Sequence, residues 1–140
     1  MYSNILVTVA YEGGKDAAPS LEIAKALLAP DGQITLIHVM EPAPVFALSY
    51  LPEGWRDEMR DAIEADMTGM AESLERAAIV VAEGDAAHEV LEYARAQRVD
   101  CIVISSHRPG TQSLLLGSTA SKVVARAQCA VHVARRPPAK

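Results

Sequence analysis

This sequence predicts an α/β protein, a parallel sheet with helices packed on both of its faces. Three observations carry that reading. Short apolar, β-branched runs alternate with amphipathic helical stretches along the whole of the 140-residue chain. The runs are nearly continuous rather than alternating, as strands buried on both faces must be. Apolar residues make up 50% and charged residues 22% of the chain, which suits a single core of roughly 100–150 residues and excludes intrinsic disorder.

Asn4 to Val9 is the first strand, an apolar run before a loop that holds Gly13 and Gly14. Leu21, Ala24, Leu27 and Leu28 then form one helical stripe, which the turn residues Pro30-Asp31-Gly32 should end. Gln33 to Val39 is the second strand. Pro42, Pro44 and Pro52 make 41–52 a connection rather than an extension of either neighbour. From Trp55 to about Ala77, charged residues share a helical stretch with Met59, Ile63, Met67, Met70 and Leu74. Ala78 to Ala82 is a third strand. Gly84-Asp85 supplies a turn and an N-cap for a helix through Val90, Leu91, Tyr93 and Ala94 that closes near Gln97. Cys101 to Ile104 is a fourth strand running into the polar loop Ser105-Ser106-His107-Arg108-Pro109-Gly110. Gly117-Ser118-Thr119 precedes a helix through Val123, Val124 and Ala127, and Cys129 to Val133 is the fifth strand.

Charge and composition remove several functions. The 13 basic against 18 acidic residues leave a net charge of −5, so coating of nucleic acid has no electrostatic basis. No stretch reaches the roughly 18 uncharged apolar residues of a membrane span, and the amino terminus does not read as a signal peptide; a cytoplasmic protein is expected. Cys101 and Cys129 lack CxxC spacing and are expected to be reduced, buried thiols, a bridge between neighbouring strands being the alternative.

Ligands of an open parallel sheet bind beyond the carboxyl ends of its strands, where the strand order reverses. The loops after strands one, two and four are therefore the candidates. Gly117-Ser118-Thr119 reads in two ways, as an ordinary helix cap or as a phosphate seat in which glycine permits close approach and the helix end supplies donors. Neither GxxxxGK[ST] nor GxGxxG occurs. His38, His88, His107 and His132 lack the pairing of a zinc site, and no GxSxG elbow accompanies Ser105, Ser106 or Ser113. Arg108 has a guanidinium fork suited to phosphate, whereas His107 could reach a phosphate but reads first as a solvated loop residue. Phe46, Tyr50 and Trp55, with Val45, Leu48 and Leu51, form either a partner surface or flap, or packing against their own helix. Met59, Met67 and Met70 read as core.

The chain resembles the universal stress protein family over essentially its full length. The resemblance rests on Ser105-Ser106-His107-Arg108-Pro109 followed by Leu114 to Val124, similar to the family's glycine-bounded nucleotide loop with a Gly-Ser-Arg-Asn-Pro start and a Leu-Leu-Gly-Ser finish. Ile37-His38-Val39 and Gly84-Asp85 support it. The resemblance implies one domain over 1–136 with an exposed 137–140 tail. It also implies an open twisted five-stranded parallel sheet in the order 3-2-1-4-5, Rossmann-like and similar to the adenine nucleotide alpha hydrolases, and a homodimer joined through Ala130 to Val133. Family members of this type bind ATP or a related adenine nucleotide, AMP or ADP. By position, the Val39 main chain would meet adenine, Ser105, Ser106, His107 and Arg108 would line the ribose and phosphate path, and Gly117, Ser118 and Thr119 would hold the phosphates. Mg²⁺ would accompany ATP without a protein cage of its own. Two positions depart from the pattern: Ala10 stands where the family usually has an aspartate, and Ser105 where it has its first loop glycine, with Tyr11 or Glu12 as possible replacements for the lost carboxylate.

Three functions follow as expectations. The first is a regulatory adenine-nucleotide binder in stress response, with slow hydrolysis at most. The second is a nucleotide-free dimeric module that recruits a protein partner through 41–55. The third is an enzyme of adenylyl or phosphoryl transfer, for which Arg108 and the paired serines are the encouragement.

Overall fold

The computed structural model describes residues 1–11, 17–105 and 117–135. Five strands, β1 (Tyr2–Thr8), β2 (Leu28–Met40), β3 (Ala77–Glu83), β4 (Cys101–Ser105) and β5 (Ala130–Ala134), form one parallel sheet in the order β3-β2-β1-β4-β5. Four α-helices connect them: α1 (Ala18–Leu27), α2 (Trp55–Ala71), α3 (Ala86–Ala96) and α4 (Ser118–Arg126). The expected fold and strand order are observed.

Period-two side-chain alternation divides the buried strands between two cores. Ile5, Val7, Ile34, Leu36 and Val103 face α1 and α2 and pack with Leu21, Ala24, Ile63 and Met67. Leu6, Ile37, Val39, Ile102 and Ile104 face α3 and α4 and pack with Val90, Ala94, Ala120 and Val123. Burial on both sides is why these strands read as unbroken apolar runs. At the amino end of the sheet, the Asp100 carboxylate accepts from the Ser3 and Asn4 amides, each at 2.9 Å. The Asn4 side-chain amide donates to the Gln97 carbonyl at 2.8 Å. The corner between α3 and β4 is thereby fastened to the start of β1.

The structure differs from the sequence reading at several places. β2 begins at Leu28, before Pro30-Asp31-Gly32, because Leu28 already pairs with Tyr2; the next pair is Asn4 with Gln33, so the turn residues are absorbed as an irregularity within the strand. α2 stops at Ala71 rather than near Ala77. The Ser73 hydroxyl donates to the Met70 carbonyl at 2.9 Å, offering the backbone an alternative to another turn, and Arg76 must be extended for its carbonyl to accept from Ile34. Met59 is 47% exposed: the first turns of α2 reach past the sheet, where Arg56 and Arg60 bind Glu83, the last residue of β3. Cys129 is only half-buried, since it lies just ahead of edge strand β5, whereas Cys101 is buried, and both are free thiols. Between Pro44 and Pro52 the connection forms a short 3-10 helix, Val45–Tyr50.

Met67 is fully buried against the sheet. Met67→Ala should therefore lower unfolding free energy by about 2–5 kcal/mol, whereas Met59→Ala should change it by about 0.5 kcal/mol or less. Urea denaturation of the two variants checks the contrast.

Candidate functional site

β1 and β4 pair through Ile5–Cys101, Leu6–Ile102 and Val7–Val103. Beyond that, the Val9 amide donates to the Ile37 carbonyl of β2 at 2.8 Å, so the chain leaves β1 toward β2 and away from β4. A cavity of about 330 Å³ opens at this divergence. Its walls come from the carboxyl ends of β1, β2 and β4 and from the starts of α1, α3 and α4. Crossover helices run opposite to the strands they follow, so their amino ends, with unpaired amides and partial positive charge, gather at this side.

Those helix starts are not equivalent. At α3 the N-cap Asp85 accepts from the His88 amide at 3.0 Å, so a carboxylate already serves that end. At α4 the N-cap is Gly117, with φ −62° and ψ 162°, which has no side chain with which to cap the helix. A Cβ built on Gly117 meets nothing within 4 Å among the described residues. Neither its backbone angles nor its described neighbours therefore require glycine, and among the described residues nothing stands over the first-turn amides at its Cβ position.

Of the residues singled out from the sequence, Ala10, Val39, Ser105, Gly117, Ser118 and Thr119 all line the cavity. Ser106, His107 and Arg108, with Glu12, Gly13 and Gly14, lie outside the described residues. The structure adds Ser20, His38, Glu41, Asp85 and Lys122 to the lining. Lys122 lies four residues after Ser118, one helical turn on, a spacing legible in the sequence. As site residues, His38 and Asp85 stood in the sequence only as matches to the family and Glu41 only as the start of the loop after the second strand; the sheet is what brings the end of β2 and the cap of α3 beside β1. The charges come from different elements: Lys122 from α4, between β4 and β5 in the chain, and Glu41 and Asp85 from just beyond β2 and β3.

Tyr11 and His38 form a fixed polar wall. His38 Nδ1 lies 2.7 Å from the Val9 carbonyl, which can only accept, so Nδ1 carries the proton and Nε2 remains an acceptor in the neutral ring. The Tyr11 ring meets His38 edge-on, with centroids 5.0 Å apart and planes at 87°. Its hydroxyl donates to Asp66 on α2 at 2.6 Å. Burial first, then the hydrogen-bonded Asp66 carboxylate and its charge, raise the Tyr11 phenol well above the ordinary tyrosine range. Among the described residues no group of histidine, cysteine, aspartate and glutamate side chains could hold a metal ion.

A family model described as the universal stress protein family matches residues 1–135. The universal stress protein A homolog 2 of Coxiella burnetii is 35% identical over 96% of this chain and 95% of its own length. Among solved structures, hypothetical protein MJ0577 superposes with a TM-score of 0.83 at 21% identity, covering 99% of both chains. A universal stress protein family protein of Arabidopsis thaliana, solved with AMP bound, superposes with a TM-score of 0.64 at 20% identity, covering 96% of this chain and 92% of that one. At these identities the two structures speak to the fold.

A folded tyrosine that keeps its proton gives stability that is complete below the unfolded pKa of about 10 and is lost as pH rises above it. Tyr11→Phe should therefore flatten the fall in stability between about pH 10 and pH 12. Cys101, pushed up to about 11 mainly by burial, acts with the same sign from lower pH and is retained in the variant. Denaturant midpoints measured across this range test the Tyr11 share; superimposable curves for wild type and variant would remove it.

Proposed function

The chain belongs to the universal stress protein family, and on that premise we propose that its cavity takes an adenine nucleotide as a regulatory ligand in the cytoplasm. The carrying observation is the amino end of α4 at Gly117, whose N-cap carries no side chain, beside a cavity in which the α3 cap, Asp85, already accepts from the His88 amide. Phosphates settle on the Ser118, Thr119 and Ala120 amides and the two hydroxyls, with Lys122 reaching the outer phosphates. The adenine end lies toward Val39, where main-chain groups meet the base edge and the carboxylates of Glu41 and Asp85 favour an exocyclic amine over a keto oxygen. Ser105 and the Tyr11–His38 wall flank the sugar, with Ala10 leaving room rather than a carboxylate grip. The AMP found in the Arabidopsis protein of the same fold supports this class of ligand.

The nucleotide acts as a signal more than a substrate, with hydrolysis slow at most. Rapid phosphoryl transfer needs a positioned base and a metal held against the phosphates, whereas the support found at α4 is for holding an anion. The active form is a homodimer paired through β5 from Ala130 to Val133, the last strand of the sheet among the described residues, where another strand could add. A second reading has its own observation. Val45, Phe46 and Tyr50 are 85%, 79% and 84% exposed on the 3-10 helix, so the expectation that they pack on their own helix fails for them, and a protein-recruiting surface at 41–55 gains support.

Titration calorimetry with ATP, ADP and AMP, with and without Mg²⁺, tests the main reading. Wild type should saturate, and Gly117→Asp should weaken binding about tenfold or more by placing a carboxylate at the anion seat. Lys122→Gln should weaken ATP about fivefold and AMP less, the scale of one exposed charge contact. A flat wild-type titration would overturn the nucleotide reading and leave the recruiting module in its place.

A further inference from the structure

A second cavity, of about 350 Å³, lies at the opposite end of the sheet, where the carboxyl ends of α3 and α4 meet the starts of β4 and β5. Its apolar part includes Leu91, Ala94, Val99 and Ile102, and Ile102 is fully buried. Three arginines, Arg95, Arg98 and Arg126, line it together with one carboxylate, Glu92. Glu92 is taken by Arg95 at 2.9 Å. Among the described residues, no hydrogen bond or ion pair engages the guanidinium of Arg98 or Arg126, in a chain whose net charge is −5.

Basic residues in a last turn complement the helix dipole, which accounts for Arg95 and Arg126. It does not account for Arg98. The Val99 amide donates to the Ala94 carbonyl at 2.9 Å and the Arg98 amide to the Arg95 carbonyl at 3.4 Å, the paired bonds of a Schellman ending. Arg98 occupies the left-handed position of that motif, with φ 54°, the one described non-glycine residue at positive φ. Glycine is the usual occupant because it carries no Cβ penalty. A long cation has been placed where the backbone favours no side chain, at a cavity whose lining is part aliphatic and part cationic.

We propose that this cavity binds a small amphiphilic carboxylate, its hydrocarbon chain lying against the half-buried Leu91, Ala127 and Cys129 and its head held by Arg98 and Arg126. The apolar lining is aliphatic and calls for a flexible hydrocarbon rather than a bare inorganic anion. The two unengaged guanidinium groups supply fork geometry for a carboxylate. This site is independent of the nucleotide reading, since the two cavities lie at opposite ends of α3 and α4.

Amide chemical-shift titrations of the full chain with butanoate, hexanoate and octanoate test it. Shifts should localise to Leu91, Ala94, Val99 and Cys129, and each pair of added methylenes should tighten binding about tenfold until the cavity is filled. Octan-1-ol should bind at least about tenfold more weakly than octanoate, the worth of one charged contact. Inorganic phosphate should leave these amides unmoved. Arg98→Gly should weaken octanoate about tenfold while the melting temperature stays level or rises, a combination a purely structural arginine would not produce. Octanoate binding no tighter than butanoate, or equal in wild type and Arg98→Gly, would overturn the proposal. So would a lowered melting temperature with unchanged affinity.

Discussion

The short contact between β1 and β4 is the constraint from which the rest of the molecule takes its shape. The chain builds β1, β2 and β3 outward in one direction, then returns across the sheet to lay β4 against the free side of β1. Three residue pairs make that joint before the strands part, and Asp100 secures its lower end through the Ser3 and Asn4 amides. Reversal of strand order leaves a gap no crossover can fill, because the helices on either side of it belong to connections that go opposite ways. The cavity at Thr8, Val9 and Ser105 is the direct consequence.

Polarity at that cavity follows from the same geometry. Parallel strands send every crossover helix back with its amino end toward the crevice, and the local sequence then decides which ends are already neutralised. Asp85 closes α3, whereas Gly117 leaves α4 open. The two ends thus differ in whether the N-cap residue has a side chain that accepts from the first-turn amides. Tyr11 links this region to α2 through Asp66, so the wall of the cavity and the helix that carries the exposed 3-10 segment at its start share a hydrogen bond.

Where the chain sets aside the locally favoured choice, it does so at surfaces rather than in the core. Phe46 and Tyr50 stand in solvent although apolar residues gain from burial. Arg98 takes a backbone conformation that suits glycine. The two cores show no such departures, and no buried side-chain polar atom among the described residues lacks a partner.

Much of the architecture was legible in the residues alone. The apolar runs at Asn4 to Val9, Gln33 to Val39 and Cys101 to Ile104 marked the central strands, since burial on both faces leaves no polar alternation to blur them. Asp85 read correctly as a cap because capping is local chemistry. Boundaries were less legible: the early start of β2 depends on Tyr2 lying beside Leu28, a pairing across the sheet that no neighbouring residue announces. The candidate site divided in the same way. Gly117, Ser118 and Thr119 were visible as a helix start, and family resemblance pointed to Val39 and Ser105. His38, Glu41 and the locked Tyr11–Asp66 pair emerged only when distant strand and helix ends were brought together. The sequence by itself determined which segments would be strands and helices and that they would form a layered α/β sheet, because periodicity and capping act over a few residues. Only the tertiary structure decided which ends meet, which helix start is left open and where the unengaged charges face, because those depend on contacts between residues far apart along the chain.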